Sequence, residues 1–499
     1  MAVGTGAAGA HGAGEWKSDL ADVLRLGWPN SVNMFLTFLP GLVMFYFLGD
    51  PSEIAGAGMG FMFCNVTGFS MIVAFGAGKE PLMSQAFGAR NFMRCGDLLQ
   101  RQIAIHAALM IPVGAIWLET EHLLTLFRQP ASVSKLAASF VLWRVPALPA
   151  LALKEDLTGF LTSQRLMMLP MVASVSASVV NMAGFAILIP VLGYAGAPLA
   201  YTVANMFQAL MLFTLSPRVL LNAATWPAWS LRTAFRGWGE LLGLALPGGA
   251  LMLSEWWGWE INLFFAGLLC ADTVNGCAEL DAFPIVANTM VLGFMPNFGF
   301  SIAAGSLVGN ALGASDPERA RRLGNVAVAV AACVGGTVAV VLVALREYWG
   351  LLFTNDAEVV AVTARTLPAI AAYIMLDCMG PGALASVLRS ASVVVLPAIL
   401  SLVSFYVLGI PFGLMLTFWR TQEGWGILGL WIGLVFGMFF MVSSLLMLLW
   451  YRVSWRSLAE AAQCAAVEDG AASSGQKAIG KSCYDEVPTG DVPPETCAL

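Results

Sequence analysis

One stretch of the sequence, residues 241–269, constrains what this chain can fold into. It reads LLGLALPGGALMLSEWWGWEINLFFAGLL, and a helix that crosses a bilayer needs about 20 mostly apolar residues. Two carboxylates, Glu255 and Glu260, lie in its middle among three tryptophans. An acid at the centre of the hydrocarbon costs at least about 2.5 kcal/mol, and such acids usually belong to an ion or proton pathway inside a helix bundle. The stretch therefore predicts a membrane protein with buried charge.

The amino-acid composition places the whole chain in a membrane. Of its 499 residues, 58% are hydrophobic and only 11% are charged, whereas a soluble domain has roughly 25% charged residues. No basic stripe appears, so nucleic acid is not an expected partner. Nine cysteines without a CxxC pair and three histidines give neither zinc spacing nor a disulfide framework, so no metal or organic cofactor is expected. Cys270 and Cys277 share one predicted loop and are either paired or free.

Twelve apolar segments predict an all-α polytopic membrane protein with twelve transmembrane helices in two six-helix lobes. Glycine and proline are frequent inside them, which transmembrane helices tolerate when neighbouring helices satisfy the backbone. The segments are residues 26–48, 54–78, 98–118, 136–162, 168–190, 197–217, 241–269, 283–306, 324–345, 359–388, 393–418 and 428–451. We expect a disordered tail at 1–21, a lobe at 22–217, a cytosolic linker at 218–240, a second lobe at 241–452 and a disordered tail at 453–499.

Positive charges determine the predicted orientation, because cytoplasmic loops carry an excess of Lys and Arg. With the N-terminus in the cytosol, most loop arginines fall inside, and the opposite loops carry mostly acids such as Glu279 and Glu358. The arginines that fall inside are Arg90, Arg94, Arg101, Arg165, Arg218, Arg232, Arg236, Arg319, Arg321, Arg322, Arg389, Arg452 and Arg456. Both termini are therefore predicted to be cytosolic.

The two halves of the chain resemble each other. LGWP at 26–29 matches LALP at 244–247, QAFGA at 85–89 matches NALGA at 310–314, and LFRQPASV at 126–133 matches LFTNDAEV at 352–359. Because each half has six segments, both halves insert the same way up and form a parallel repeat. Substrate sites of such repeats lie near the midplane at the repeat interface, so this pattern is typical of a secondary transporter.

Motifs in both halves resemble those of one family along about residues 22–452. In the first half they are NVTGFS at 65–70, SQAFGA at 84–89, FLTSQ at 160–164 and LGYAGAPLA at 192–200. In the second half they are SEWWGWEINLFFAGLL at 254–269, GNALGA at 309–314, IMLD at 374–377 and FYVLGIP at 405–411. By these motifs, and most specifically by EWW with its second Glu, the chain resembles the eukaryotic branch of the multidrug and toxic compound extrusion (MATE) family.

This resemblance implies two six-helix lobes, a cleft between them and cation-coupled export. The proton is the usual coupling ion of the eukaryotic branch, with sodium as the alternative, and the substrates are organic cations, xenobiotics or secondary metabolites. Two stretches depart from the family pattern: GAGKEPL at 76–82 and the charged run at 154–156. We expect a plasma or vacuolar membrane, a small-molecule substrate and a monomer in the lipid bilayer.

The candidate coupling residues are intramembrane acids. Glu255 and Glu260 are five residues apart, so at about 100° per residue they point in different directions, one into the second lobe and the other toward the cleft. Asp377 lies one turn after Tyr373, whose phenol can hydrogen-bond it. We expect Glu255 and Asp377 to take a proton from the more acidic side and release it toward the cytosol. The alternative is that each acid is permanently protonated and only holds helices together.

Other polar and aromatic residues are candidates for the cleft or for charges within the first lobe. Trp256 and Trp259 can stack on a cationic substrate or simply pack. The charges of the first lobe either pair locally, with lysine reaching the interface, or form a second proton site. The cleft candidates are Asn65, Gln85, Asn288 and Tyr406, and the first-lobe charges are Glu80, Lys154, Glu155 and Asp156.

Proton-coupled antiport of organic cations is the function that these residues favour. A flippase of lipid-linked precursors would call for a more basic cleft, and export of organic acids stays open as a further alternative. A membrane-embedded acyltransferase would need a histidine with a carboxylate partner, and the residues that follow His106 and His122 supply none locally. An enzyme is therefore not expected.

A cysteine introduced at Glu358, or at Glu279, tests the predicted orientation. We expect a membrane-impermeant thiol reagent to label it from the non-cytosolic side, because both positions lie in predicted outer loops. Labelling is compared in intact and permeabilised cells, with the unsubstituted chain as the background for its own cysteines. Labelling that requires access from the cytosol would contradict the orientation.

Overall fold

The computed structural model describes residues 5–127, 129–269, 277–418 and 425–473, and these ranges contain helices and no β-strand. Ten helical stretches within them are long and apolar enough to cross a membrane. One of these, Met168–Val219, contains two helices joined by a short turn. The predicted all-α membrane class is confirmed.

Residues 32–249 form one compact unit. Tight turns separate most of its membrane-spanning helices. The π-helical stretch Asn65–Phe69 instead joins the helices before and after it, Pro51–Cys64 and Ser70–Gly76, into a continuous segment. Its helices are α1 (Thr5–Phe47), α2 (Pro51–Cys64), α3 (Ser70–Gly76), α4 (Lys79–Gly88), α5 (Phe92–Leu118), α6 (Thr120–Leu126), α7 (Ala131–Arg144), α8 (Leu148–Ser163), α9 (Met168–Leu192), α10 (Gly196–Val219), α11 (Leu231–Ala234) and α12 (Trp238–Leu269). The first and last of these helices continue into the other unit.

The predicted linker at 218–240 packs against this unit. Trp226 lies edge-on to Phe160 with ring centroids 6.3 Å apart, and the Ser230 amide donates a 2.7 Å hydrogen bond to the Gln100 side chain. The side chains of Arg94 and Glu240 form an ion pair. These contacts cover part of an aromatic ring and give polar groups hydrogen-bond partners, so they hold residues 218–240 against the unit.

Residues 1–31 and 250–499 form the second compact unit. Its described helices are α13 (Ala278–Gly313), α14 (Pro317–Trp349), α15 (Ala357–Asp377), α16 (Ala385–Ser390), α17 (Val395–Leu402), α18 (Ile410–Phe418), α19 (Ile427–Met447) and α20 (Trp455–Ser473). The π-helical stretches Cys378–Leu384 and Val403–Gly409 join α15 to α16 and α17 to α18. One large apolar cluster, which includes Tyr373 and Trp431, forms its core.

Two glycine pairs bring α18 and α19 close together. Gly409 and Gly413 are spaced four residues apart, as are Gly433 and Gly437, and small residues at this spacing allow membrane helices to approach closely. A Cβ on Gly433 would overlap the backbone of Gly413, and one on Gly413 would lie 3.1 Å from the Leu430 carbonyl oxygen. The helix contact therefore depends on the absence of these side chains.

Both predicted tails are helical within the described residues. Helix α1 begins at Thr5, and the Asp19 carboxylate is buried because it receives hydrogen bonds of 3.2 and 3.1 Å from Arg319 and Arg322. At the other end, α20 contacts α13 and α14, and Leu458 is buried against them. The first segment is rich in Gly and Ala and the second in small and polar residues, which suggests disorder. Ion pairs in the first and one apolar face in the second hold their described parts in helices. Cys277 is disulfide-bonded, whereas Cys270 lies outside the described residues.

Replacing Gly433 with alanine tests the close contact of α18 and α19. We expect Gly433→Ala to lower the free energy of unfolding by about 1–3 kcal/mol, the usual effect of overpacking. The measurement is thermal unfolding of the purified protein in detergent. Gly336→Ala is the matched control, since no atom lies within 4 Å of a Cβ there. Equal destabilisation by both substitutions would contradict this account of the contact.

Candidate functional site

Glu255 lies on α12 inside the unit of residues 1–31 and 250–499, with 5% of its surface exposed. Its Oε1 accepts a 3.2 Å hydrogen bond from the hydroxyl of Tyr373 on α15. That hydroxyl in turn accepts a 2.8 Å hydrogen bond from Trp259 Nε1. Trp259 therefore orients the phenol, and the phenol holds the carboxyl group of Glu255.

Asp377, the last residue of α15, is fully buried. The Glu255 carboxyl group is close enough to interact with it, but neither oxygen of Asp377 reaches hydrogen-bond geometry with a described residue. A buried polar group without a partner is costly, and an ionised one more so. The structure thus brings together the two acids and the phenol that the sequence singled out. Among the described residues, few hydrogen-bond donors are available to stabilise ionised forms of the two acids.

The π-helical stretch Cys378–Leu384 follows Asp377 directly. Asn297 Nδ2 donates a 2.9 Å hydrogen bond to the carbonyl of Cys378, in a turn where Pro381 has no amide hydrogen to offer. A Cβ at Gly382 would lie only 2.5 Å from Asn297 Nδ2, so glycine permits this contact. Stretches of this type are frequent at functional sites. This one lets the helix continue beyond Asp377 with the wider i→i+5 hydrogen-bond pattern of a π-helix beside that residue.

Sequence reasoning did not find two residues of this cluster, Asn297 and Trp431. Trp431 packs edge-on against Tyr373 with ring centroids 5.7 Å apart, and its Nε1 has no acceptor among the described residues. The available signal for Asn297 was an amide inside the apolar segment 283–306, which also contains the predicted candidate Asn288. Nothing in the local pattern around Trp431 distinguishes it from a tryptophan that faces lipid.

Glu260 takes no part in the cluster around Glu255. Its side chain is exposed on the surface of the unit, which agrees with the expected divergence of the two carboxylates along the helix. Trp257 is exposed as well, and Trp256 is half-buried. The half-buried Trp259 is engaged with Tyr373, so its indole N–H is already used inside the protein.

The predicted cleft residues lie in both units. Asn65 is half-buried at the start of a π-helical stretch, and Gln85 on α4 is buried. Asn288 donates a 2.9 Å hydrogen bond to the Pro284 carbonyl of its own helix. Tyr406 lies half-buried in the stretch Val403–Gly409. Their roles in substrate binding stay predictions.

A buried ion network crosses the interior of residues 32–249. Lys79 Nζ donates to Asp156 Oδ1 at 3.0 Å and to the Glu155 carbonyl at 2.9 Å. The other carboxylate oxygen of Asp156 lies 2.9 Å from His106 Nδ1. Lys79, Asp156 and His106 are at most 5% exposed, so the lysine pairs inside the bundle.

Both ring nitrogens of His106 have partners inside this bundle. Nε2 is 3.0 Å from the Ile72 carbonyl oxygen and 3.1 Å from Gln102 Nε2, so it can either donate to the carbonyl or accept from the amide. Nδ1 pairs with the Asp156 carboxyl group. The local sequence gave no such pair, because the two residues are 50 positions apart.

The remaining predicted charges of this unit are Lys154, Glu155 and Glu80. Lys154 is buried and lies 3.8 Å from the partly exposed carboxylate of Glu155. This spacing agrees with the local pairing expected for the run at 154–156. Glu80 is half-buried at the start of α4. No described group of three or more His, Cys, Asp or Glu residues could hold a metal ion.

Comparisons with known proteins agree with these features. The MatE family model matches residues 29–187 and 250–415. Multidrug and toxin extrusion protein 2 of Mus musculus is 32% identical over 451 residues, which cover 90% of this chain and 77% of the relative. Multidrug and toxin extrusion protein 1 of Homo sapiens is 30% identical over 455 residues, with the same coverage. The crystal structure of the eukaryotic MATE transporter AtDTX14 has a TM-score of 0.82 and 23% identity, over 90% of this chain and 99% of that chain.

A multi-pass helical protein with charged groups enclosed in its bundles has features typical of membrane transporters. With the matches above, the chain belongs to the multidrug and toxic compound extrusion family, as the EWW element indicated. The count of twelve helices is consistent with the fold of that family. Family membership supports efflux transport of small molecules rather than enzymatic catalysis.

Removing the carboxylate of Asp156 tests whether the ion network holds its unit together. We expect Asp156→Ala to lower the free energy of unfolding by about 3–5 kcal/mol, because Lys79 would be left buried without its partner. Thermal unfolding in detergent reports the change. Replacing both residues, as Lys79→Met with Asp156→Leu, should recover most of the loss.

Glu119→Gln is the control for that experiment, because its carboxylate is exposed and lies 2.8 Å from the likewise exposed His122. We expect it to change stability by less than about 1 kcal/mol. If Asp156→Ala were as stable as the unaltered protein, the network would not have the structural role described here.

Proposed function

We propose that this protein exports organic cations in exchange for protons, by alternating access. The observation that carries the proposal is the buried pair of Glu255 and Asp377. Its hydrogen-bond donor is the Tyr373 hydroxyl, and no basic residue in the described part of the chain pairs with it. Cation-coupled export of xenobiotics and metabolites is the corresponding role for a member of this family. Neither the coupling ion nor the substrate is specified by family membership alone.

The chemistry of the pair suits a proton site. Ionisation of both carboxyl groups of a neighbouring buried pair is disfavoured, since burial and the like charge each oppose it. One proton shared by Glu255 and Asp377 reduces the buried charge and gives the oxygens of Asp377 a donor that the described residues do not provide. Loss of that proton toward the cytosol leaves an anionic site, which attracts a cationic substrate.

A pH gradient supplies the driving force in this scheme. Each pH unit provides roughly 1.36 kcal/mol per proton, which corresponds to about tenfold accumulation when one proton is exchanged per substrate. Protonation from the more acidic side neutralises the pair, weakens its hold on the cation and favours the state that releases substrate. The free energy of the gradient is thereby linked to a change of charge at one buried site.

The tryptophans of α12 extend this site toward hydrophobic cations. Trp256 and Trp259 are half-buried beside Glu255 in the sequence, and indole faces attract cations by about 0.5–2 kcal/mol. Apolar and aromatic surfaces discriminate weakly between similar shapes, so recognition should be broad. We therefore propose xenobiotics and secondary metabolites with positive charge as substrates, in a plasma or vacuolar membrane, with both termini in the cytosol.

Sodium is the alternative coupling ion, and transport assays can separate it from the proton. A sodium ion would be held by the same carboxylates through several oxygen ligands. Substrate uptake into proteoliposomes that is driven by an imposed pH gradient in sodium-free buffer supports the proton as the coupling ion. Export that appears only with an imposed sodium gradient would contradict proton coupling while leaving the acid pair as a cation site.

Neutralising Glu255 tests the proposed proton site. Glu255→Gln resembles the permanently protonated form, so we expect it to bind cationic substrate poorly and to lose pH-driven export while its expression is normal. Asp377→Asn should have the same effect, and the double variant should be no worse than either single one, because the two acids act as one site. The assay is uptake of a lipophilic cation into proteoliposomes against its gradient.

Glu260→Gln is the matched control, because Glu260 lies on the same helix but outside the cluster. We expect it to keep the pH dependence of the unaltered protein. Export by Glu255→Gln at the normal rate and with the normal pH dependence would show that the proposed site is wrong.

A further inference from the structure

Arg144 is a buried charge that the network of Lys79, Asp156 and His106 does not include. It is the last residue of α7, immediately before the 3₁₀ turn Val145–Ala147, and 7% of its surface is exposed. The span that contains it runs from Ala131 to Ser163, so Arg144 lies near the middle of the span. A guanidinium keeps its charge in proteins, and a charge at such depth normally has a partner.

No carboxylate among the described residues forms an ion pair with Arg144. Lys154, the other buried cation of this span, is paired with Glu155 at 3.8 Å. The Nε and Nη1 atoms of Arg144 are enclosed and have no acceptor in the described part of the chain. The Cys64 thiol is within reach of the guanidinium, but a thiol is a weak acceptor. The negative end of the α7 dipole offsets only part of the charge.

Three aromatic rings surround the guanidinium. The Arg144 Cζ lies 5.4 Å from the ring centre of Phe61, 5.9 Å from that of Phe140 and 5.1 Å from that of Tyr201. Ring faces attract a cation, yet they carry no formal charge and leave the N–H donors without an acceptor. The rings hold the guanidinium in place, and the hydrogen-bonding capacity of its Nε and Nη1 atoms is unused.

A second unused donor lies next to it. The hydroxyl of Tyr201 is buried and has no hydrogen-bond partner among the described residues. Beside it, Gly41 has no side chain, and a Cβ there would lie 3.6 Å from the Tyr201 hydroxyl oxygen and 3.4 Å from Phe61 Cζ. Buried donors without acceptors cost about 1–3 kcal/mol each and call for a ligand or ion that satisfies them.

We propose that this cluster binds the carboxylate of a small aromatic acid, either a free acid or the acidic group of a zwitterionic cargo. Arg144 supplies the opposite charge, the Tyr201 hydroxyl supplies a neutral donor, and the half-buried ring of Phe61 packs against the aromatic part of the ligand. The proposal rests on the proposed transport function, because it adds a class of cargo to it. It extends the substrates from cations to molecules that carry a carboxylate.

Benzoate and its neutral analogue benzamide test the proposal with the full-length protein in nanodiscs, where binding is followed by tryptophan fluorescence. We expect benzoate to bind at least about tenfold more tightly than benzamide, since a hydrogen bond to a charged group is strong. Arg144→Gln should abolish this preference, and Arg144→Lys should retain part of it. Tyr201→Phe should weaken benzoate binding by about threefold. Equal binding of benzoate and benzamide to the unaltered protein would overturn the proposal.

Two controls separate binding at Arg144 from a general effect of lost positive charge and from binding of any inorganic anion. Arg218→Gln removes an exposed arginine that donates to the Thr214 carbonyl of its own helix, and it should keep the full preference for benzoate. Chloride at the same concentration should compete poorly with benzoate, and equally strong competition would show an inorganic anion site and overturn the aromatic-acid proposal. Thermal unfolding of each variant verifies that it is folded.

The outcomes also separate this proposal from the proposed function. Glu255→Gln should lose pH-driven export of a lipophilic cation and still bind benzoate in preference to benzamide. If the Glu255 variant exports normally while Arg144→Gln loses the benzoate preference, proton coupling at the acid pair is wrong and the anion site stands. If the Glu255 variant fails to export and the unaltered protein has no benzoate preference, proton coupling at the acid pair stands and the anion site at Arg144 is wrong.

Discussion

Charge buried without water is the constraint on which this structure depends. Inside a bilayer, a charged side chain must find its partner on another helix, because no solvent can replace it. Asp156 on α8 is therefore bound to Lys79 on α4 and to His106 on α5, while Glu255 on α12 is bound to Tyr373 on α15. Each such contact fixes the register of the helices that it joins, so the charged groups organise the two units as much as the apolar cores do.

Small residues make these polar contacts possible. A Cβ at Gly159 would lie 2.6 Å from Lys79 Cε, and one at Gly76 would lie 3.2 Å from Lys79 Nζ, so both glycines leave room for the lysine to reach Asp156. Gly382 does the same for Asn297 beside the π-helical stretch after Asp377. Close packing leaves few voids in protein interiors, and a glycine is the simplest way to admit a long polar side chain between helices.

The sequence predicted those parts of the molecule that depend on local patterns. Apolar segments gave the helical class, and the spacing of Glu255 and Glu260 on one helix gave their divergence into buried and exposed positions. The pairing of Lys79 with Asp156, 77 positions apart, could not be read from periodicity, because it depends on how distant helices pack. Arg144 lies within an apolar segment and has no charged neighbour in sequence, so only its unsatisfied donors in the folded chain distinguish it. The helical tails were missed for the same reason, since the Arg319 and Arg322 partners of Asp19 are about 300 residues away.

The two classes of buried charge respond differently to pH, and this difference bears on coupling. A carboxyl pair can gain or lose its charge with one proton, whereas a guanidinium keeps its charge at every pH that a cell maintains. Attraction of a cation to Glu255 and Asp377 is therefore adjustable by protonation, and attraction of a carboxylate to Arg144 is constant. A proton gradient can change the affinity of the acid pair for the positive group of a cargo, but it does not change the affinity of Arg144 for the carboxylate of that cargo. In the proposed scheme, energy coupling is therefore confined to the acid pair, and the arginine contributes selectivity.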